Sequence, residues 1–250
     1  MTARAWRLMS VPVAAALAMG AGGCGASEGD DKTVTVLAAA SLTESFTTLA
    51  RAYEKVHPGT HVEVSFAASS TIVTQLSHDA PADVVALADT EAPKKLPKDV
   101  AEGKTWTPFA TNRLEIVTPR GNPAHVTGLA DLAKVDTVLC AKEVPCGRAA
   151  HKALTKARVA PHVVSYEKDV KATLAKVVAG DAHAALVYAT DASSAGSKVS
   201  GVEVPTASNV TTTLPITAWS DTADAKGFAQ FVRGDEGRRV LQGNGFGLPG

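Results

Sequence analysis

Two stretches near the start of this chain repeat one arrangement. The apolar run Thr33-Val-Thr-Val-Leu-Ala-Ala-Ala40 stops where Ser41 opens a helical pattern, and His61-Val-Glu-Val-Ser-Phe66 stops where Ala67-Ala-Ser69-Ser-Thr71 opens another. Strand-then-helix units that alternate in this way imply an α/β fold with a mostly parallel sheet. It also has a chemical consequence. A helix N-terminus carries unpaired N–H groups and about half a positive charge. Two such ends with serine hydroxyls, side by side at the end of a parallel sheet, form a place for an anion that needs no cationic side chain.

The alternation continues. Helices are expected over 41–57, stopped by Pro58-Gly59, and over 69–78; a buried strand follows at 83–89, a short broken helix at 90–98 and a strand at 112–119. After the Gly121-Asn122-Pro123 turn a second unit begins: a short helix at 128–132, strand 136–141, helix 147–157, strand 162–166, helix 170–179 and strand 184–188. An edge piece at 202–205, a strand at 211–219 and helices at 223–233 and 237–244 complete the chain. Two α/β units joined by two extended passages imply two lobes with a cleft between them.

The second unit repeats the device. Pro145-Cys146-Gly147-Arg148 enters one helix and Lys168-Asp169-Val170 enters another, with Asp169 as N-cap. Gly147 is read as allowing a close backbone approach to a ligand. The N–H groups of Cys146 and Val170 and the phenol of Tyr188 then face the same cleft as Ser41 and Ser69. Arg148, one turn from the site, is expected to point to solvent. Opposed helix ends with neutral donors suit a small dianion such as molybdate.

The remaining features set the compartment. Arg4 and Arg7 precede an apolar stretch over 8–19, then Ala21-Gly-Gly-Cys24, so residues 1–23 read as a secretory signal. Small residues before Cys24 fit a bacterial lipobox, although Ala21 stands where Leu is usual; lipid on Cys24 and a flexible tether over 24–32 are expected. Without the signal, 23 basic face 25 acidic residues, so nothing points to nucleic acid. An exported chain sits in an oxidising compartment, which makes Cys140–Cys146 a disulfide by default.

These motifs carry a resemblance. Val34–Ser45 with its Ala-Ala-Ala-Ser-Leu-Thr, then Phe66-Ala-Ala-Ser-Ser-Thr, Gln75, Ala80-Pro-Ala-Asp83-Val, Pro145-Cys-Gly, Asp169-Val170 and Val187-Tyr188-x-x-Asp191-Ala192 resemble, in order, the periplasmic molybdate-binding proteins of ABC transporters. The resemblance implies a two-lobed, type II periplasmic-binding-protein fold hinged by two crossing strands, near 111–114 and 214–218. Lobe I would be 33–111 with 216–250 and lobe II 112–215. The implied ligand is molybdate, and tungstate with it, held by the hydroxyls of Ser41 and Ser69, the backbone N–H groups of Cys146 and Val170, and the phenol of Tyr188. Molybdenum would enter only as the oxyanion, with no cofactor. The implied partner is a membrane permease, met by a monomer anchored to the outer face of the cell membrane.

Two alternatives stand beside this reading. One is another tetrahedral oxyanion, sulfate above all; a phosphate site usually needs a carboxylate acceptor, and Asp169 is engaged as a cap. The other is a secreted serine hydrolase, against which the chain offers no G-x-S-x-G elbow and only scattered histidines.

Overall fold

The computed structural model describes residues 32–250. The signal, Cys24 and the expected tether as far as residue 31 lie outside the described residues, and Lys32, expected as its last residue, already belongs to β1. Strand β1 (Lys32–Ala39) pairs in parallel with β2 (Thr60–Ala67) and with β3 (Val84–Ala86). Helix α1 (Thr43–Val56) joins β1 to β2, and α2 (Ser69–Leu76) leads toward β3. The second part repeats this: β5 (Thr137–Cys140) pairs in parallel with β6 (Val163–Glu167) and with β7 (Ala184–Tyr188). Here α4 (Pro145–Ala157) and α5 (Val170–Ala179) make the connections. A one-turn α3 (Lys98–Ala101) stands between the two parts.

Each parallel set therefore has the order second–first–third, and an antiparallel strand closes it. Strand β9 (Thr211–Ala218) borders β3, and the long β4 (Thr107–Pro119) borders β7. Along its first half β4 also pairs with β9, as far as Arg113; from Leu114 onward it pairs with β7 and with β8 (Val199–Glu203). One strand thus belongs to both halves of the order β2-β1-β3-β9-β4-β7-β5-β6. A second connection runs beside it. The side chain of Asn209 accepts from Leu114 N–H at 3.0 Å and donates to Leu114 C=O at 2.9 Å, standing in for a strand neighbour where β4 changes partners.

Two main cores result. One gathers Val34, Val36, Phe46, Leu49, Phe109, Leu214 and Phe228, the last on α7 (Ala223–Arg233), which packs with α8 (Asp235–Gly243). The other gathers Leu114, Ile116, Leu139, Ala153, Val177 and Leu186. A smaller cluster of Leu37, Ile72, Leu76 and Leu87 lies under α2.

Several expectations are refined. The 41–57 helix opens with a 3-10 turn, Ala40–Leu42, before α1 begins. The 112–119 strand starts five residues earlier, because Thr107–Arg113 find β9 as partner. A helix not expected from sequence, α6 (Ala189–Ala195), follows β7 directly; its Ala-Thr-Asp-Ala-Ser-Ser-Ala composition is too small and polar to show a periodic apolar face. The second crossing expected near 214–218 lies earlier, between β8 and β9. Leu214 and Ile216 are both buried in the core of Val34 and Phe46, so a boundary at 215/216 would cut that core.

Candidate functional site

In an open α/β sheet with second–first–third order, ligands bind beyond the carboxyl ends of the strands, where the order reverses. This chain has two such ends, and they converge. Ser41 follows β1, Ser69 opens α2 after β2, Cys146 lies in the first turn of α4 after β5, Val170 opens α5 after β6, and Tyr188 ends β7. All five line one cavity of about 20 Å³, together with Ala40, Ala68, Ala88, Pro145 and Asp169. A single water needs roughly 10–15 Å³ of such space, so the cavity suits one compact ion and not an extended organic solute. A larger open groove, about 630 Å³ between α4 and β6, contains none of the hydroxyls of the five expected residues.

The cavity is lined with donors that have not been used. The first backbone bond of α2 is Ile72 N–H to Ala68 C=O, that of α4 is Arg148 N–H to Val144 C=O, and that of α5 is Thr173 N–H to Asp169 C=O. The N–H groups of Ser69, Cys146 and Val170 precede these bonds and have no acceptor within their helices. The Ser41 hydroxyl and the Tyr188 phenol are buried and have no hydrogen-bond partner. Burial of polar groups without partners costs roughly 1–3 kcal/mol each, so two at one cavity point to a missing acceptor. The Ser69 hydroxyl is arranged differently. It accepts from Ala88 N–H at 2.9 Å, which leaves its own proton for a further acceptor. Burial pushes the Tyr188 phenol well above its usual range, helped by the carboxylates of Asp89 and Asp191, so it stays protonated as a donor.

Asp169 is occupied as expected. Its carboxylate accepts from Ala172 N–H at 2.8 Å, capping α5. Cys140 and Cys146 form a disulfide with Cα atoms 5.8 Å apart, tying the end of β5 to the first turn of α4. No histidine lines the cavity.

Two sequence expectations need correction. Arg148 does not point to solvent. Its guanidinium sits on Asp89 with Nε 2.9 Å and Nη2 2.7 Å from Oδ2, and both side chains are largely buried, 17% and 12% exposed. The physical reason is Asp89, which α4 brings within reach although it is 59 residues away. Gly147 does not make room for a ligand. A Cβ there would lie 1.9 Å from the Ala141 carbonyl oxygen, so the glycine lets α4 pack against its own entry loop.

Sequence reasoning also missed an ionic cluster beside the site. Lys171, the residue after Val170, contacts both carboxylate oxygens of Glu44 at 2.8 Å and Asp191 Oδ1 at 3.0 Å. Asp191 is fully buried and neither oxygen gains a well-aligned hydrogen bond, so burial raises its pKa to about 6 against the pull of Lys171. The residues of this cluster lie far apart in the chain, and no local pattern signals their meeting.

Comparison with known proteins agrees with this architecture. Residues 34–247 match the family model described as bacterial extracellular solute-binding protein. The molybdate-binding protein ModA of Mycobacterium tuberculosis is 36% identical over 223 residues, covering 87% of this chain and 85% of that protein. The ModA of Haemophilus influenzae is 31% identical over 240 residues, covering 90% and 93%. The solved periplasmic molybdate-binding protein of Azotobacter vinelandii superposes with a TM-score of 0.75 at 19% identity, over 87% of this chain and all of that one, a likeness of fold. The fold is thus that of type II solute-binding proteins, a class that captures ligands and does not transform them. This chain belongs to the bacterial extracellular solute-binding protein family.

Proposed function

We propose that this protein captures molybdate, and tungstate with it, in the cavity between Ser41, Ser69, Cys146, Val170 and Tyr188, and hands it to the permease of an ABC transporter. The observation that carries the reading is the pair of buried, partnerless hydroxyls, Ser41 Oγ and Tyr188 Oη, aimed at a cavity of about 20 Å³ that three helix N-termini also face. A fully deprotonated tetrahedral dianion accepts from every one of these donors and needs to donate to none. Phosphate, which keeps a proton near neutral pH, would meet no free carboxylate, since Asp169 caps α5 and Asp89 holds Arg148. The names of the mycobacterial and Haemophilus relatives support molybdate over sulfate.

Ser41 and Ser69 belong to one half of the molecule, and Cys146, Val170 and Tyr188 to the other. In this reading the halves are lobes that close on the anion, β4 and the segment held by Asn209 being the hinge. The disulfide steadies the loop that presents Cys146 N–H. In the same reading the signal exports the protein and lipid on Cys24 anchors it, as a monomer, to the outer face of the cell membrane within reach of the permease.

Thermal unfolding with competing anions tests the assignment. Molybdate and tungstate at about 100 times their Kd should each stabilise the protein by about 2.7 kcal/mol, with sulfate and phosphate at equal concentration doing far less. Absence of a shift with either metal oxyanion would reject it.

A further inference from the structure

The ionic contacts beside the cavity share a pattern. Arg148 on α4 meets Asp89, which follows β3; Lys171 on α5 meets Glu44 on α1. In both pairs the cation belongs to the half that carries Cys146 and Val170, and the acid to the half that carries Ser41 and Ser69. Each of the four residues stands within three positions of a group that lines the cavity: Arg148 two after Cys146, Lys171 next to Val170, Glu44 three after Ser41, and Asp89 next to Ala88.

We infer that Asp89–Arg148 and Glu44–Lys171 form a two-point latch that holds the halves closed over the oxyanion, so that these four residues set how long the ligand is retained without touching it. The inference rests on the reading of the cavity as an oxyanion site.

The partners that remain within each half explain how such a latch can open. Lys171 keeps Asp191, 3.0 Å away on α6 of its own half. Arg148 also donates to the backbone carbonyl of Glu143, five residues back. Asp89 Oδ1 accepts from Ala92 N–H at 2.8 Å within its own turn. Glu44, 44% exposed, returns to water. No charge is left buried without a partner when the halves part, which removes the usual cost of breaking a buried ion pair. The pairing also keeps the cations off the ligand. Arg148 is already engaged by Asp89, so the anion meets neutral donors and leaves without breaking a charge pair of its own.

The test compares wild type with Glu44→Gln, Lys171→Met, their double variant, and Asp89→Asn. Molybdate affinity is read by calorimetry, thermal unfolding confirms folding, and small-angle scattering is recorded without anion. Glu44→Gln and Lys171→Met should each weaken molybdate roughly 2- to 5-fold, and the double variant no more than the worse single one, because each removes the same contact. Asp89→Asn should weaken it roughly tenfold or more, its pair being buried. Wild-type affinity in all variants would overturn the latch, as would additive losses at Glu44 and Lys171. Tighter binding by Asp89→Asn would also overturn it, by showing that Asp89 merely shields the anion from Arg148. A wild-type protein that binds no molybdate would reject the oxyanion reading. The scattering would then decide the latch, with a larger radius of gyration in the variants supporting it and an unchanged one refuting it. Glu44 is exposed enough that its variant keeps the test open even where the buried ones fail to fold.

Discussion

At the scale of single residues, the site is a set of polar groups whose bonding is incomplete. Ser41 and Tyr188 have no partner, and Ser69 receives a hydrogen bond but gives none within the described residues. A hydrogen bond to a charged group is worth about 1.5–3 kcal/mol, so Ser41→Ala and Ser69→Ala should each weaken molybdate binding about 10- to 150-fold with the fold intact, measured by calorimetry. Unchanged titrations for both would reduce the serines to structural roles. Tyr188→Phe should behave similarly while the protein, relieved of a buried orphan hydroxyl, unfolds at the same or a higher temperature. Asp191 gives a different prediction. Its pKa is raised by burial to about 6, above its unfolded value, so the folded protein holds that proton more tightly. The associated stability is complete below about pH 4 and is lost as pH rises through about 6, on the order of 3 kcal/mol in all. Asp191→Asn should flatten the pH dependence of unfolding between those limits; a slope identical to wild type would show that Lys171 compensates the charge fully.

At the scale of elements, most of the site was legible because its information is local. Helix α5 and strand β7 fall where Asp169 and the run Ala184-Ala-Leu-Val-Tyr188 place them, since a capping side chain or an unbroken apolar run fixes the end. The five residues expected at the site meet at one cavity because Ser41, Ser69, Cys146 and Val170 sit at strand-to-helix junctions and Tyr188 at a strand end, all readable from sequence. What stayed hidden is non-local. The start of β4 is a strand only because β9 lies beside it, and Arg148 turns inward only because Asp89 awaits it. Gly147 does serve a close approach, but its neighbour is the Ala141 carbonyl and not a ligand. With Ala141 C=O 1.9 Å from a would-be Cβ, Gly147→Ala should cost about 1–3 kcal/mol in chemical denaturation and displace the α4 entry that presents Cys146 N–H. A variant as stable as wild type would mean that the entry loop yields freely. The disulfide guards the same loop. Its reduction should remove roughly 2–2.5 kcal/mol through the unfolded chain and loosen molybdate binding as well. Two free thiols in the unreduced protein lacking Cys24 would refute the bridge.

At the scale of the whole molecule, each half supplies an incomplete set of donors, and the order β2-β1-β3 in one half is repeated as β6-β5-β7 in the other. In the proposed reading only their approach makes a complete shell, so a bound anion would favour the closed arrangement by the contacts it gains there. Molybdate should therefore lower the radius of gyration in solution, and an identical radius with binding confirmed in the same sample would favour a rigid, preformed cavity. Everything proposed for the molecule depends on one small oxyanion sitting among neutral donors from both halves. The most direct measurement is a crystal grown with molybdate and recorded on both sides of the molybdenum absorption edge. A single strong anomalous peak should lie in the cavity, with the hydroxyls of Ser41, Ser69 and Tyr188 and the N–H groups of Cys146 and Val170 within hydrogen-bonding distance of its oxygens, and Arg148 still on Asp89. A peak elsewhere, or a cavity that stays without one while the protein is saturated, would contradict it.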